Sequence, residues 1–359
     1  MSDRSAFYHT LRKQPPIKIK GIWFISRYSD IEDCLKNHPT FSSNKLDLML
    51  AHDLDNKETE IHFIREILDQ WILHRDDGTR SLVKNSLIKI LSLEFKSNLS
   101  EKVAFAFAKS IKNISKRTKY DLKNDLVIPF LENFAIAFLK ISTPLHHGDL
   151  YFHAANVASL LSDLNLNSEN ISVYSDSLRF LDNLTLDSFP KDDDPLGLHS
   201  QQSLILYALV FNSVNLISNA IFKLLKNDMP FNDIELEAFL NEVIRLEAPL
   251  QAVMRIAQED IYIQHKEIRK GDPVALILGS GNEDILDESN LGKGYLKLLS
   301  YGKGIHACVG KRLSYELAKG FLVSFSKNID CLELKHFEWS KLFGFKSLES
   351  FKVEVISFK

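Results

Sequence analysis

The chain has 359 residues, a formal net charge of −3 and three cysteines, and 45% of its residues are hydrophobic against 25% charged. These values are typical of a globular protein and exclude a strongly basic nucleic-acid-binding protein. The cysteines are far apart and form no Cys-x-x-Cys pair, so they predict neither a disulfide scaffold nor a zinc site, and a reducing compartment is expected.

The first residues are polar, and from them we expect no targeting segment, no membrane anchor and a cytoplasmic location. No apolar run elsewhere is expected to span a bilayer. Alternating residues on both sides of Gly21 predict two short strands. A helix is then expected from Ser29, with Glu32 completing a capping box, and it should end before Pro39.

Between residues 60 and 245, apolar residues recur at three- and four-residue intervals, which predicts a series of helices. The prolines, glycine and aspartates between Phe189 and Gly197 indicate a loop. Strong helices are predicted on both sides of this loop, so we interpret residues 1–359 as one domain, mainly α-helical with a small β portion.

The segment from Tyr301 to Gly310 surrounds a single cysteine, Cys308, with glycines and a histidine, His306. Glycines allow close approach of the backbone, and a predicted helix begins just after the cysteine. A helix start and nearby cations favour an anionic sulfur. The arrangement indicates a thiolate that binds haem iron.

This segment is similar to the cysteine loop of the cytochrome P-450 superfamily, Phe-x-x-Gly-x-His-x-Cys-x-Gly, with Tyr301 in place of the phenylalanine. The stretch from Trp23 to Ser43 also resembles the N-terminal pattern of that family. The resemblance implies the cytochrome P-450 fold of a soluble bacterial-type member, with haem b as cofactor and Cys308 as the metal ligand. Further residues with roles implied by the resemblance are His306, Gly304, Gly310 and Arg255 in cofactor binding, and Glu242 and Arg245 in support of the cysteine loop.

A second cofactor-binding segment lies between Asp76 and Lys84. Family members often have Asp-Pro-Pro-x-His-x-x-x-Arg here, and Arg80 and Lys84 take the places of the His and the Arg. Trp71 and Arg75 offer an alternative, because they resemble a Trp-x-x-x-Arg variant. A charged surface helix is the third interpretation.

The central helix departs from the family. Its usual Ala-Gly-x-(Asp/Glu)-Thr transfers protons to dioxygen; here Ala208 is retained, whereas Phe211 replaces the acid and Asn212 replaces the threonine. A phenyl ring cannot transfer a proton and an amide is a poor general acid. Asn212 and the following Ser213 are therefore the candidates for organising water or substrate at the iron.

The support of the cysteine loop is also expected to be rewired. Asn282 and Asp284 match the family, but no arginine follows them before Tyr301. Lys293 or Lys297 would have to substitute, and a lysine lacks the bidentate fork of an arginine.

The distal pocket is expected to be apolar and to hold a hydrophobic small molecule, although ordinary core packing explains each residue equally well. Its predicted lining is Ala208, Phe211, Leu250, Ala252, Val253 and Met254. On the cysteine side, a basic group resembles the face on which the family docks a ferredoxin or flavodoxin: Lys303, Lys311, Arg312 and Lys319.

The resemblance implies an atypical haem-thiolate oxidoreductase, with a monooxygenase of a biosynthetic pathway in secondary metabolism as the preferred function. Two alternatives stay open because the acid–alcohol pair is missing. One is a peroxide-using or redox-neutral haem enzyme, such as a dehydratase or isomerase. The other is a degenerate member that binds haem and acts as a docking module.

Overall fold

The computed structural model describes residues 4–50, 57–96, 98–112, 114, 118–163, 166–184, 196–227, 235–284 and 298–358. Helices dominate this part of the chain, as the apolar spacing predicts. The helices are α1 (Arg4–Arg12), α2 (Tyr28–Lys36), α3 (Leu46–Met49), α4 (Glu58–Gln70), α5 (Arg80–Lys96), α6 (Leu99–Ile111), α7 (Ile128–Leu139), α8 (Asp149–Ser162), α9 (Ser168–Asp182), α10 (Gln201–Tyr207), α11 (Ser213–Lys226), α12 (Leu236–Leu246), α13 (Leu278–Asp284) and α14 (Lys311–Asn328).

Three small sheets make up the β portion. The strands are β1 (Ile17–Ile19), β2 (Ile22–Ile25), β3 (Phe41–Ser42), β4 (Lys119–Asp121), β5 (Val253–Ala257), β6 (Ile261–Ile263), β7 (Lys266–Ile268), β8 (Pro273–Leu276), β9 (Ile329–Trp339) and β10 (Leu348–Phe358). The largest sheet has the order β1-β2-β8-β5-β3, and only its β2–β8 pair is parallel. The others are β4-β10-β9 and β6-β7. The mainly α fold class with a small β portion is confirmed.

The predicted start of α2 is wrong. The helix begins at Tyr28, and Arg27 at the N-cap makes no side-chain cap hydrogen bond, so the capping box of Ser29 and Glu32 does not form. Instead, the Tyr28 backbone N–H donates to Asp284 Oδ2 at 2.8 Å. A carboxylate from a distant helix thus accepts a hydrogen bond from an N–H that has no partner within α2. Its negative charge also interacts favourably with the positive end of the helix dipole.

The central helix is built from α10, a π-helical turn (Ala208–Asn212) and α11. By length and composition, Gln201–Lys226 would be able to cross a membrane, contrary to the expectation that no segment would. However, 83% of the most apolar stretch of this helix is buried inside the protein. It therefore serves as the core helix. A second π-helical turn, Lys123–Val127, precedes α7 and packs against α11.

Some predictions fall outside the described residues. They are the loop positions 189–195 and the two candidate lysines, Lys293 and Lys297. The interpretation of residues 1–359 as one domain stays a prediction.

Candidate functional site

The cysteine loop is closed by its own backbone. The Cys308 N–H donates to the Tyr301 carbonyl at 2.8 Å, and a 3-10 turn, Gly304–His306, lies between them. Cys308 is a free cysteine just before α14; its side chain is accessible, yet protein atoms surround it closely enough to desolvate the thiol. Desolvation raises the pKa of its thiol, while the backbone N–H groups of Gly310 and Lys311 and the charge of Lys84 oppose that rise. A bound metal ion would deprotonate the thiol outright.

Two glycines of the loop have different surroundings. Gly304 has φ +64°, and a Cβ there would meet the Leu35 carbonyl oxygen at 2.8 Å, so this glycine lets the loop lie against the end of α2. At Gly310 a Cβ would meet only the Cys308 sulfur, at 3.9 Å. That distance is an ordinary van der Waals contact, so a side-chain methyl group would also fit at this position.

A cluster of buried cations lies next to the loop. Arg80 and Arg255 are each 6% exposed. Arg80 Nη2 lies 3.0 Å from His306 Nδ1, and His306 Nε2 lies 2.6 Å from Asp76 Oδ1. Burial lowers the pKa of Arg255 to about 10. The positive charge of Arg80 lowers this pKa further, whereas the negative charge of Asp76 raises it. The structure thus brings together four residues from three segments that are far apart in sequence.

His306 is not one of the cations in this cluster. Desolvation and the charges of Arg80 and Arg255 lower its pKa, although the hydrogen bond to Asp76 opposes them. The contacts fit a neutral ring whose Nε2–H donates to Asp76 and whose Nδ1 accepts from Arg80. Ser43 Oγ lies 3.1 Å from the same Nε2. His306 therefore orients Arg80, and the positive charge belongs to the two arginines.

The charge balance of this cluster fits the two carboxylates of haem. Lys45, which the sequence analysis missed, is 8% exposed and close enough to Arg255 for the two charges to repel. Among the described residues, Asp76 is the carboxylate whose charge acts on Arg80 and Arg255, and the Arg80 Nε is buried without a partner. Buried cations require anionic partners, so Arg80 and Arg255 would hold the propionates.

Lys84 takes a different position from the one expected. Its Nζ donates to the Ile305 carbonyl at 3.2 Å, and its charge acts on Cys308. It therefore lies on the sulfur side of the site, one helical turn beyond Arg80. The alternative pair lies elsewhere: Trp71 Nε1 donates to Ser203 Oγ at 3.2 Å, and Arg75 Nη1 donates to the Leu196 carbonyl at 3.2 Å.

Glu242 and Arg245 form a bidentate pair, with distances of 2.8 Å for Nε–Oε2 and 2.9 Å for Nη2–Oε1. Arg245 Nη1 also donates to the Asn282 carbonyl at 3.0 Å. A second cation lies near the same carboxylate, because Lys223 Nζ is 3.9 Å from Glu242 Oε1. This lysine lies on α11 of the central helix, and the sequence motifs did not indicate its contact with Glu242.

The connection from this pair to the cysteine loop runs through amide and hydroxyl groups. Asn282 Nδ2 donates to Ser300 Oγ at 2.7 Å, and Ser300 Oγ donates to the Ile244 carbonyl at 2.5 Å. The Leu299 N–H donates to Asn282 Oδ1 at 2.8 Å. The support is thus rewired around Asn282.

On the central helix, Asn212 ends the π-helical turn and Ser213 begins α11. Asn212 Oδ1 is buried and has no hydrogen-bond partner in the part of the chain that the structure describes. Phe211 is 3% exposed and lies among aromatic rings, with its centroid 6.0 Å from Tyr151 and 5.2 Å from Phe345. The position of the missing acid is therefore filled by core packing.

The predicted pocket lining is wrong at Ala252 and Met254. Side chains alternate across β5, so Val253 shares the face of Arg255, whereas its neighbours point to the opposite face. There, Ala252 and Met254 pack in a separate apolar cluster beside Tyr8. Leu250 packs against both the central core and the cluster of Val253, and Ala208 and Phe211 belong to the central core.

The predicted basic face is partly neutralised. Lys303 Nζ lies 3.7 Å from Glu32, and Lys319 Nζ lies 2.7 Å from Glu237. Lys311 lies over the Tyr301 ring, 5.6 Å from its centroid. Exposed ion pairs of this kind leave a weaker field than four free cations would.

No family model matches the chain. The biotin biosynthesis cytochrome P-450 of Bacillus subtilis is 33% identical over 153 residues, which are 39% of each chain. Cytochrome P-450 109 of Bacillus spizizenii is 23% identical over 352 residues, 90% of this chain and 84% of that one. The first three curated relatives are matched over 39%, 40% and 41% of their length.

Among solved structures, the chain is similar to P450BioI in complex with hexadec-9Z-enoic acid ligated acyl carrier protein. The TM-score is 0.82 at 20% identity, with 98% of this chain and 97% of that chain covered. This likeness shows the fold. The chain thus has the cytochrome P-450 fold, and the curated relatives that it resembles are cytochromes P-450, a class of protein that carries haem b.

Proposed function

We propose that this protein is a haem-thiolate monooxygenase that oxidises a hydrophobic small molecule with electrons from a ferredoxin or flavodoxin-type donor. The observation that carries the proposal is that the loop of Cys308 contacts, through His306, a cluster of buried arginines that face only one carboxylate among the described residues. A biosynthetic role is part of the proposal and draws on the biotin biosynthesis relative. The cytoplasm is the proposed location.

Bound haem would supply a thiolate-ligated iron that activates dioxygen. Cys308, whose side chain is accessible, would be the metal ligand. Arg80, oriented by His306, would bind a propionate together with Arg255. On the distal side, Phe211 and Ala208 belong to the apolar core that would exclude water from the substrate.

The first experiment measures the cofactor. The reduced, carbon-monoxide-bound protein should show the red-shifted absorption band of thiolate ligation, and Cys308→Ala should abolish it. Cys34→Ala is the matched control, because Cys34 is a free, buried cysteine on α2 and should leave the band in place. A wild-type protein without this band would rule out the proposal.

A second experiment tests the arginines. Arg255→Met should weaken haem retention by about tenfold, because a charge-assisted contact to a carboxylate is lost. The same change should leave the stability of the haem-free protein equal or higher, since an apolar side chain replaces a poorly paired buried charge. A variant that retains haem like the wild type would show that Arg255 does not hold a propionate.

A peroxide-using enzyme is the second candidate, favoured by the replacement of the acid–alcohol pair by Phe211 and Asn212. Turnover should be compared with a reductase chain and dioxygen, and with peroxide alone. Hexadec-9Z-enoic acid, free and on acyl carrier protein, is a first substrate because the similar P450BioI structure contains it. Product formed only with peroxide would replace the monooxygenase assignment.

A further inference from the structure

One side of the central helix carries four buried polar atoms that have no hydrogen-bond partner among the described residues. They are Asn212 Oδ1, Asn215 Oδ1, Ser218 Oγ and Asn219 Oδ1. Intervals of three and four residues place them along one face, beginning at the π-helical turn. Buried polar groups without partners are unfavourable, and internal water commonly satisfies them. The row therefore indicates a line of buried water sites.

Tyr151 on α8 connects this row to a second region. The Tyr151 hydroxyl lies close enough to the Asn215 amide for the amide to oppose the rise that burial causes in the pKa of Tyr151, and the Tyr151 ring stacks on Phe211 with an interplanar angle of 21°. Asn215 Nδ2 also donates to the Phe211 carbonyl at 2.9 Å, within the π-helical turn. Such turns are frequent at functional sites.

Lys123 lies on the other side of Tyr151. It is 5% exposed, its Nζ lies 4.9 Å from the centre of the Tyr151 ring, and it donates to the Leu348 carbonyl. Burial lowers the pKa of Lys123 to about 8, and the charges of Asp121 and Glu349 oppose that shift. A lysine with such a pKa exchanges its proton near neutral pH, and the exposed Glu349 marks the surface beside it.

We propose that Lys123, Tyr151 and the polar face of the central helix form a proton route from the surface at Glu349 to Asn212. The route takes the place of the acid–alcohol pair that Phe211 and Asn212 remove. This inference rests on the proposed monooxygenase function, since only a dioxygen-using enzyme requires such delivery.

The transfer balances without any change of oxidation state. Lys123 Nζ releases a proton toward the Tyr151 hydroxyl through water, and the hydroxyl passes its own proton to water beside Asn215. The amides of Asn215 and Asn212 keep their protons and hold the waters by donating and accepting hydrogen bonds. Lys123 then takes a proton from solvent, so one proton moves from bulk water to Asn212.

Tyr151→Phe tests the route, and Tyr8→Phe is its matched control. Both changes remove one buried hydroxyl next to an amide, because Tyr8 donates to Gln251 Oε1 at 3.1 Å. The readout is peroxide released by the haem-loaded protein with excess reductase and ferredoxin, in water and in deuterium oxide. Tyr151→Phe should lower this rate about tenfold and change the solvent isotope effect, while Tyr8→Phe should change neither. Equal rates and isotope effects for Tyr151→Phe and the wild type would overturn the route.

A second test needs no haem. Ser218→Ala should leave Tm unchanged or lower it if water occupies the row, because a water ligand is lost. In a dry helix face the same change would raise Tm, since an unsatisfied hydroxyl is removed. Ser175→Ala provides the comparison, as Ser175 on α9 is also buried and unpartnered. A Tm raised by Ser218→Ala would overturn the water line.

These outcomes separate the two proposals. A wild-type protein without the thiolate band would end the monooxygenase proposal, and the route would lose its purpose with it. A normal band together with an unaffected Tyr151→Phe variant would end the route alone.

Discussion

The cysteine loop and the central helix treat their polar groups in opposite ways. Within the cysteine loop and its support, the polar groups find protein partners: the backbone closes the loop, and Asn282 bonds both Ser300 and the Leu299 N–H. Along the central helix, four side-chain oxygens between Asn212 and Asn219 are buried without partners among the described residues. The first region is a finished scaffold, whereas the second requires solvent to be complete.

The two regions have different chemical requirements. A thiolate ligand needs one sulfur and a rigid loop, and a short motif supplies both. Proton delivery depends on the side chains and water that surround the oxygen site, so residues of several helices are able to supply it. Here the packing of Phe211 against Tyr151 fills the place of the acid, and the proposed route would take over its role.

The largest expected effect concerns this packing. Phe211→Ala removes a ring that is 3% exposed and contacts three other aromatic rings, so unfolding should become easier by about 3–5 kcal/mol. Phe105→Ala is the control, as this phenylalanine on α6 is 61% exposed and its loss should change little. Urea unfolding of both variants checks the difference. Equal losses would mean that Phe211 is not part of the core.

A smaller loss is expected on the cysteine side. Arg245→Ala removes two bonds to Glu242 and one to the Asn282 carbonyl, which should lower the free energy of unfolding by about 2–3 kcal/mol. The value is kept low because the Glu242 side chain is 42% exposed and regains water. Lys319→Ala breaks an exposed pair with Glu237 and should cost less than about 1 kcal/mol. If both variants lose a similar free energy of unfolding, the Glu242–Arg245 pair does not stabilise the support at Asn282.

The parts of the site that could be predicted from the sequence are those with a local cause. Glycine, histidine and cysteine at fixed spacing predicted the cysteine loop. Gly304 does have a backbone conformation that favours glycine. The helical periodicity predicted the mainly α fold. Arg80 and Arg255 were found through their places in motifs, and both reach the same cluster.

The rest depends on contacts between distant segments. Asp284 caps α2 across 256 residues, a contact that no local capping pattern indicates. Lys45 was missed because one lysine in a polar stretch gives no sign of burial. Ala252 and Met254 do not line the predicted pocket with Val253, because side chains alternate between the two faces of a strand. This alternation is visible in the sequence around β5.

The pH dependence of stability should distinguish the two regions further. Burial lowers the pKa of Lys123 to about 8, so its charge destabilises the fold below that pH. As pH rises from about 8 toward the unfolded value of about 10.4, the unfolded chain keeps the proton longer, and stability increases. The wild type should therefore gain about 2 kcal/mol relative to Lys123→Met between about pH 7 and pH 10. Parallel curves in urea unfolding would show that Lys123 is solvated, which would also remove the start of the proposed proton route.

The smallest expected effect tests how tightly the cysteine loop lies on α2. Gly304→Ala places a Cβ 2.8 Å from the Leu35 carbonyl oxygen at a φ of +64°, so it should cost about 1–2 kcal/mol and broaden the thiolate band. Gly78→Ala is the matched control, because no atom lies within 4 Å of a Cβ there. If both variants unfold at the same urea concentration, the contact with α2 does not constrain the loop. A selective loss at Gly304 would show instead that the rigidity around Cys308 is imposed by the protein scaffold before any cofactor binds.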